Sequence, residues 1–193
     1  MILLIDNYDS FTYNLVQWVA TEKDLIVCRN DELNLPVLSR LPISAIIISP
    51  GPGHPNSLLS CKQIVSYYLT KVPILGVCLG HQLLAELFQW QVKPAPSPIH
   101  GKVSLIFHQD DPLFQNVPNP FQATRYHSLL AYPNCSSCLQ SIAHTHDGLV
   151  MAIKHQSLAL YGVQFHPESV LTTYGRQILS NFVHLQQQPN QTS

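Results

Sequence analysis

Charge is scarce in this chain. Of its 193 residues only 11% are Asp, Glu, Lys or Arg, and the formal net charge is −1. Without a basic stripe to neutralise phosphates, nucleic-acid binding is excluded. The hydrophobic content of 46% argues equally against a disordered chain. No apolar run approaches the roughly 20 residues of a membrane-spanning helix. The opening segment, Met1 to Asp6, is short and lacks a basic flank, so no export signal is expected. Cys28, Cys61, Cys78, Cys135 and Cys138 are an odd number of thiols, read as reduced and cytoplasmic. Cys135 and Cys138 have C-x-x-C spacing but no second pair, so no metal or redox centre is expected there. No glycine-rich loop ends in Gly-Lys-Ser/Thr, and no dinucleotide fingerprint follows a strand, so no cofactor is expected. Low charge also suggests that a partner protein covers part of the surface.

What is present is an alternation of strands and helices. Ile2 to Ile5, Leu25 to Cys28, Ala45 to Ile48 and Ile74 to Val77 are short apolar runs. Between them, Phe11, Leu15, Val16 and Val19 recur at helical spacing. Leu58 to Leu69 forms a second helical pattern, and a short helix fits within Asn30 to Pro42. Continuous apolar strands joined by helices predict a parallel sheet covered on both faces. After Phe88 the pattern changes. Gln91 to Pro94, Gly101 to Phe107, Leu139 to His144, Val150 to His155 and Leu158 to Phe165 read as strands without long helices between them. Pro94 to Pro98 and Asn116 to Pro120 read as loops. A helix from Tyr174 to Leu185 closes the chain, and the polar tail from Gln186 to Ser193 is expected to be disordered. The fold class is therefore α/β, a mostly parallel sheet with flanking helices plus a smaller mixed or antiparallel extension. No repeat or linker divides it, so residues 1–193 read as one domain.

In parallel sheets, sites lie at the carboxyl ends of the strands. One such end carries Gly76-Val-Cys-Leu-Gly80 followed at once by a helical pattern. Strand, glycine-flanked turn and helix make a nucleophile elbow, with Cys78 at its tip and at a helix N-terminus that favours thiolate. A buried structural cysteine in a βα turn is the competing reading. A nucleophile needs a base and an orienting acid. His166-Pro-Glu168 ends the last apolar strand, and in extended backbone His166 and Glu168 project to one side. Ser49-Pro-Gly-Pro-Gly53 follows the third strand, and with proline lacking N–H only Gly51 and Gly53 can donate there. Leu79, the residue after the nucleophile, supplies the other oxyanion donor in any elbow. Arg125 to Leu129 is a polar cluster to which spacing alone assigns no role, and His127 within it reads as structural.

Together these segments resemble the class I (triad) glutamine amidotransferases, where the same motifs stand in the same order. Ile5 to Asn14, His100-Gly-Lys102 and Leu171 to Gly175 are similar to the branch formed by the small subunits of anthranilate synthase and aminodeoxychorismate synthase. The resemblance spans Met1 to about Phe182. It implies a flavodoxin-like sheet and a triad of Cys78, His166 and Glu168. It implies an oxyanion hole at Gly51 and Leu79. It implies L-glutamine held by Gly51, Pro52, Gly53, Gln82, Ser128 and Leu129. It further implies a cytoplasmic glutaminase, without metal or cofactor, that delivers ammonia to a chorismate-binding large synthase subunit. The alternative is a catalytically silent regulatory or binding module of the same fold. A flavodoxin-like cofactor binder fits only the strand order. Two places depart from the family pattern. Leu58-Leu59 stands where a glycine is usual. Gln89-Trp90 stands where a Gly-Gly turn is usual, which leaves Trp90 exposed or docked on a partner.

Overall fold

The computed structural model describes residues 1–185, so the tail from Gln186 lies outside the described residues. Five strands form the parallel half of the sheet: β1 (Ile2–Asp6), β2 (Leu25–Arg29), β3 (Ala45–Ile48), β4 (Ile74–Val77) and β9 (Leu160–Val163). They lie in the order β2-β1-β3-β4-β9. β1, β3 and β4 are buried along their whole length, which is why their sequences are unbroken apolar runs.

Side chains alternate across a strand, and the core divides accordingly. Ile2 and Leu4 of β1 face one cluster, which contains Leu15 and Val19 of α1 (Thr12–Ala20) and Ile178, Leu179 and Phe182 of α5 (Gly175–Leu185). Leu3 and Ile5 face the other. That cluster contains Leu38 of α2 (Leu35–Leu38), Ile64 and Val65 of α3 (Leu59–Tyr68), and Leu83 and Leu84 of α4 (Leu79–Leu87). Each fully buried Leu or Ile contributes about 1.5–3 kcal/mol, so the helices are held by the faces they bury rather than by their caps.

Beyond β9 the sheet turns antiparallel and continues without a break. The order runs through β8 (Val150–His155), β7 (Leu139–Thr145), β5 (Gln91–His108) and β6 (Phe121–Tyr132), giving nine strands among the described residues. The sheet curls. Edge strand β6 returns to the segment after β9, where the His166 N–H donates to the Thr124 carbonyl at 3.0 Å.

Several expectations need correction. Pro94 to Pro98 is no separate loop, because it lies inside the long strand β5. The register against β6 jumps there from Pro94–Leu129 to Ile99–His127, so the proline stretch is a wide bulge. Proline offers no N–H to the ladder, and a bulge accommodates that loss. β6 itself was not foreseen. Trp90 is neither exposed nor free to dock; it is 3% exposed, inside the second core cluster. Gln89 has φ +67°, the left-handed position at a helix end usually taken by glycine. The Gln89 N–H then reaches Glu86 O at 3.0 Å and the Trp90 N–H reaches Ala85 O at 2.9 Å. Helix α4 thus ends in a regular Schellman closure without glycine. Leu59, the other departure, opens α3 with an exposed side chain.

Candidate active site

The sheet order reverses between β1 and β3, and β4 lies beside β3. Loops leaving the carboxyl ends of these strands therefore meet at one crevice. Cys78 stands between β4 and α4 with φ +50° and ψ −99°, outside the usual backbone regions. Such strain persists only where the surroundings enforce it. Here the Cys78 N–H is held by Val163 O at 2.8 Å. A Cβ at Gly80 would stand 2.5 Å from Ile48 O, so only glycine lets α4 start this close to β3.

His166 and Glu168 do not lie along an extended strand as expected. β9 ends at Val163, and the two residues sit in a turn closed by Ser169 N to His166 O. The outcome is the contact foreseen: His166 Nδ1 lies 2.6 Å from Glu168 Oε1, with both side chains buried. Thr172 fixes the turn. Its hydroxyl donates to His166 O at 2.6 Å and accepts from the Thr124 N–H at 3.0 Å. The second ring nitrogen, His166 Nε2, is buried and makes no good hydrogen bond among the described residues. The Cys78 thiol is close enough to influence its charge. Burial opposes a proton on His166, but Cys78 and Glu168 outweigh burial and raise its pKa to about 10. The charged ring is thus the resting form, and an imidazolium beside a thiol favours the thiolate.

The remaining predicted residues fall into place unevenly. Gly51 lies against Asn7 and Leu79: a Cβ there would stand 2.5 Å from Asn7 Cβ and 3.1 Å from Leu79 Cδ2. The backbone N–H groups of Gly51 and Leu79 make no hydrogen bond to described residues. Gln82, on the first turn of α4, donates to Leu129 O at 3.1 Å, which joins α4 to β6. Pro52, Gly53 and Ser128 are exposed. Cys135 and Cys138 are exposed free thiols before β7.

Sequence reasoning missed four residues. The Tyr126 ring lies edge-on to His166 at 5.2 Å, and Phe11 stacks on Tyr126 at 5.6 Å, so two aromatics cover the imidazole. Asn7 bonds Ser49 twice at 2.8 Å and braces the Gly51 loop. Gln164 donates to Cys78 Sγ at 3.7 Å. A polar side chain inside an apolar strand end was the only signal for Gln164.

Two further buried histidines have the opposite electrostatics to His166. His81 is held down to about 3, mainly by burial, and His127 to about 4 by burial and then by Arg125. In the unfolded chain both titrate near 6.5. Below that pH the unfolded state takes up protons that the fold refuses, so stability falls as pH drops towards 4. His166 acts the other way. Its stabilisation is complete below about 6.5 and is lost as pH rises through about 10. Stability should therefore peak near neutrality and fall by about 3 kcal/mol between pH 6.5 and 5. Urea unfolding across pH checks this, and His81→Gln should halve the acid slope. An unchanged slope would contradict the assignment.

The family model described as "Glutamine amidotransferase class-I" matches residues 3–185. An anthranilate synthase component 2 from Cyanophora paradoxa is 49% identical over 187 residues, covering 95% of this chain and 98% of that protein. An aminodeoxychorismate/anthranilate synthase component 2 from Bacillus subtilis (strain 168) is 44% identical over 185 residues, covering 95% of each. The crystal structure of a protein assigned to GMP synthase, from Thermoplasma acidophilum, superposes with a TM-score of 0.85. It covers 96% of this chain and 93% of that one, and at 23% identity it speaks for the fold alone. On the family match over residues 3–185 and the identity to these relatives, the chain belongs to the class-I glutamine amidotransferases.

Proposed function

We propose that this chain is the glutaminase subunit of a chorismate-using synthase, with Cys78, His166 and Glu168 as its catalytic residues. One observation carries the reading: a strained Cys78 beside an imidazole that is itself held at 2.6 Å by a buried carboxylate. The Cys78 thiolate attacks the side-chain carboxamide carbon of L-glutamine. The oxyanion that forms is bound by the free N–H groups of Leu79 and Gly51; one such donor is worth about 10²–10³ in rate. His166 gives its Nε2 proton to the leaving nitrogen, and ammonia departs from a γ-glutamyl thioester. Neutral His166 then takes a proton from water, the hydroxide attacks the thioester, and glutamate leaves as the thiolate and imidazolium return. Glu168 holds Nδ1–H throughout and stabilises the charged ring. Gly51, Pro52, Gly53, Gln82, Ser128 and Leu129 line the place for glutamine.

Ammonia is useful only if it reaches an acceptor. The relatives' names place them as component 2 of anthranilate or aminodeoxychorismate synthases. By the same reading, this chain hands its ammonia to a chorismate-binding large subunit in the cytoplasm, and residues 1–193 act as one domain. The rim of the site suits a docking partner. Val170 and Leu171, just past Glu168, are 89% and 56% exposed, and Tyr13 is 67% exposed. Apolar side chains this bare beside a reactive centre suit burial under another protein. The isolated chain should be a slow glutaminase that its large partner accelerates. Glutamate release, measured with and without that partner, tests this. High turnover by the chain alone, unchanged by the partner, would contradict it. A silent module of the same fold is disfavoured because all three triad positions are filled.

A further inference from the structure

A series of side-chain amides runs from β6 to the sulfur of Cys78, and the triad leaves it unexplained. Its anchor is the Leu129 carbonyl oxygen, which lies 3.1 Å from Gln82 Nε2 and 3.1 Å from His127 Nδ1. A backbone carbonyl can only accept, so both of those atoms carry hydrogen. This fixes the Gln82 amide with its nitrogen towards Leu129. The same nitrogen lies 3.1 Å from the amide oxygen of Gln164, so its second hydrogen goes there. Gln164 is then fixed as well: its oxygen is occupied, and its NH₂ points at Cys78 Sγ, 3.7 Å away. Gln164 is fully buried and Gln82 is 3% exposed, so water does not compete for these bonds.

We infer that Gln164 is a positioning residue for the nucleophile, donating a hydrogen bond to the Cys78 sulfur through an amide whose polarity is set by Gln82 and the Leu129 carbonyl. The inference rests on the reading of Cys78 as nucleophile. It has two consequences. The thiolate receives a donor from Gln164, and a bond to a charged acceptor is among the stronger hydrogen bonds. Gln82, with both amide hydrogens used inside the protein, has only its oxygen left for a ligand. It therefore reads a donor on the substrate, an N–H of the carboxamide or the α-ammonium, and disfavours a substrate offering only an acceptor there.

The test is alkylation of Cys78 in the full-length chain by iodoacetamide, followed by mass spectrometry of the peptide that carries it. This separates Cys78 from the exposed Cys135 and Cys138. Gln164→Met keeps volume and removes the donor. Its pH midpoint for Cys78 alkylation should rise by about one unit, and the rate at neutral pH should fall about tenfold. Gln82→Met breaks the relay at its middle. It should move the midpoint the same way by less, and the double variant should shift no further than Gln164→Met alone. A midpoint unchanged in Gln164→Met would overturn the inference. Should that variant fail to fold, an unchanged midpoint in Gln82→Met would overturn it instead. If Cys78→Ala still hydrolyses glutamine at the wild-type rate, the functional reading itself fails. If Cys78→Ala is inactive and Gln164→Met alkylates normally, only the role of Gln164 fails.

Discussion

Cys78→Ala should abolish glutamine hydrolysis, by about 10⁴-fold or more, and leave ammonia-dependent synthesis by the large subunit intact. On the proposed reading the Cys78 sulfur is the atom that bonds to carbon, whereas Cys61 is buried against Asn7 with its pKa raised to about 12 by burial. The variant should keep its fold. The elbow is held by the Cys78 backbone N–H on Val163 O and by the packing at Gly80, neither of which uses the sulfur. Cys78 is only 6% exposed, so truncation removes one buried atom and costs on the order of 1 kcal/mol. Activity with ammonium salts in place of glutamine is the internal control. Loss of both activities would point to failed assembly, and retention of both would refute the role of Cys78.

Glu168→Gln has the next largest expected effect, about 10³–10⁴ in kcat/KM with glutamine. Glu168 is fully buried, and its Oε2 has no partner among the described residues. Its charge is therefore balanced chiefly by protonated His166. The amide keeps the size and can still accept from Nδ1–H, so geometry survives while the charge does not. With the carboxylate gone, burial has less to oppose it, and the pKa of His166 falls. The ring then reverts towards neutral imidazole, and the Cys78 sulfur loses the cation beside it. The same variant should alkylate more slowly at Cys78 near neutral pH, which separates a loss of activation from a loss of substrate binding. His166→Ala is a poorer probe. It leaves Glu168 buried and uncompensated, at a cost of about 3–5 kcal/mol, so activity and stability would fall together. A Glu168→Gln enzyme within tenfold of wild type would show that the carboxylate does no more than fill space.

How much of this was legible in the sequence depends on how local each feature is. The parallel half of the sheet follows from apolar runs such as Ala45 to Ile48, because a strand buried on both faces admits no polar alternation. The elbow was legible because strand, cysteine and helix are contiguous. The pairing of His166 with Glu168 was legible because they are two residues apart, although a turn rather than a strand brings them together. β6 was missed because its middle, Arg125 to Ser128, is polar. Ser128 faces outward, and Arg125 Nε is met by Ser104 Oγ of β5. β5 was missed as one strand because its prolines read as a loop. Gln164 meets Gln82 across 82 residues and Cys78 across 86, contacts created by the pairing of β4 with β9, whose register sets Val77 beside Val163. Trp90 was misread because a glycine-free Schellman closure has no simple sequence signature.

The central claim is that glutamine is cleaved on the sulfur of Cys78. The most direct measurement is mass spectrometry of the peptide containing Cys78 after the chain, with saturating glutamine and its large partner present, is quenched in acid during turnover. The mechanism predicts a γ-glutamyl group on that peptide, labile to hydroxylamine and absent from Cys78→Ala. Steady glutamate release with no such adduct on Cys78 at any quench time, or with the adduct on another residue, would contradict it.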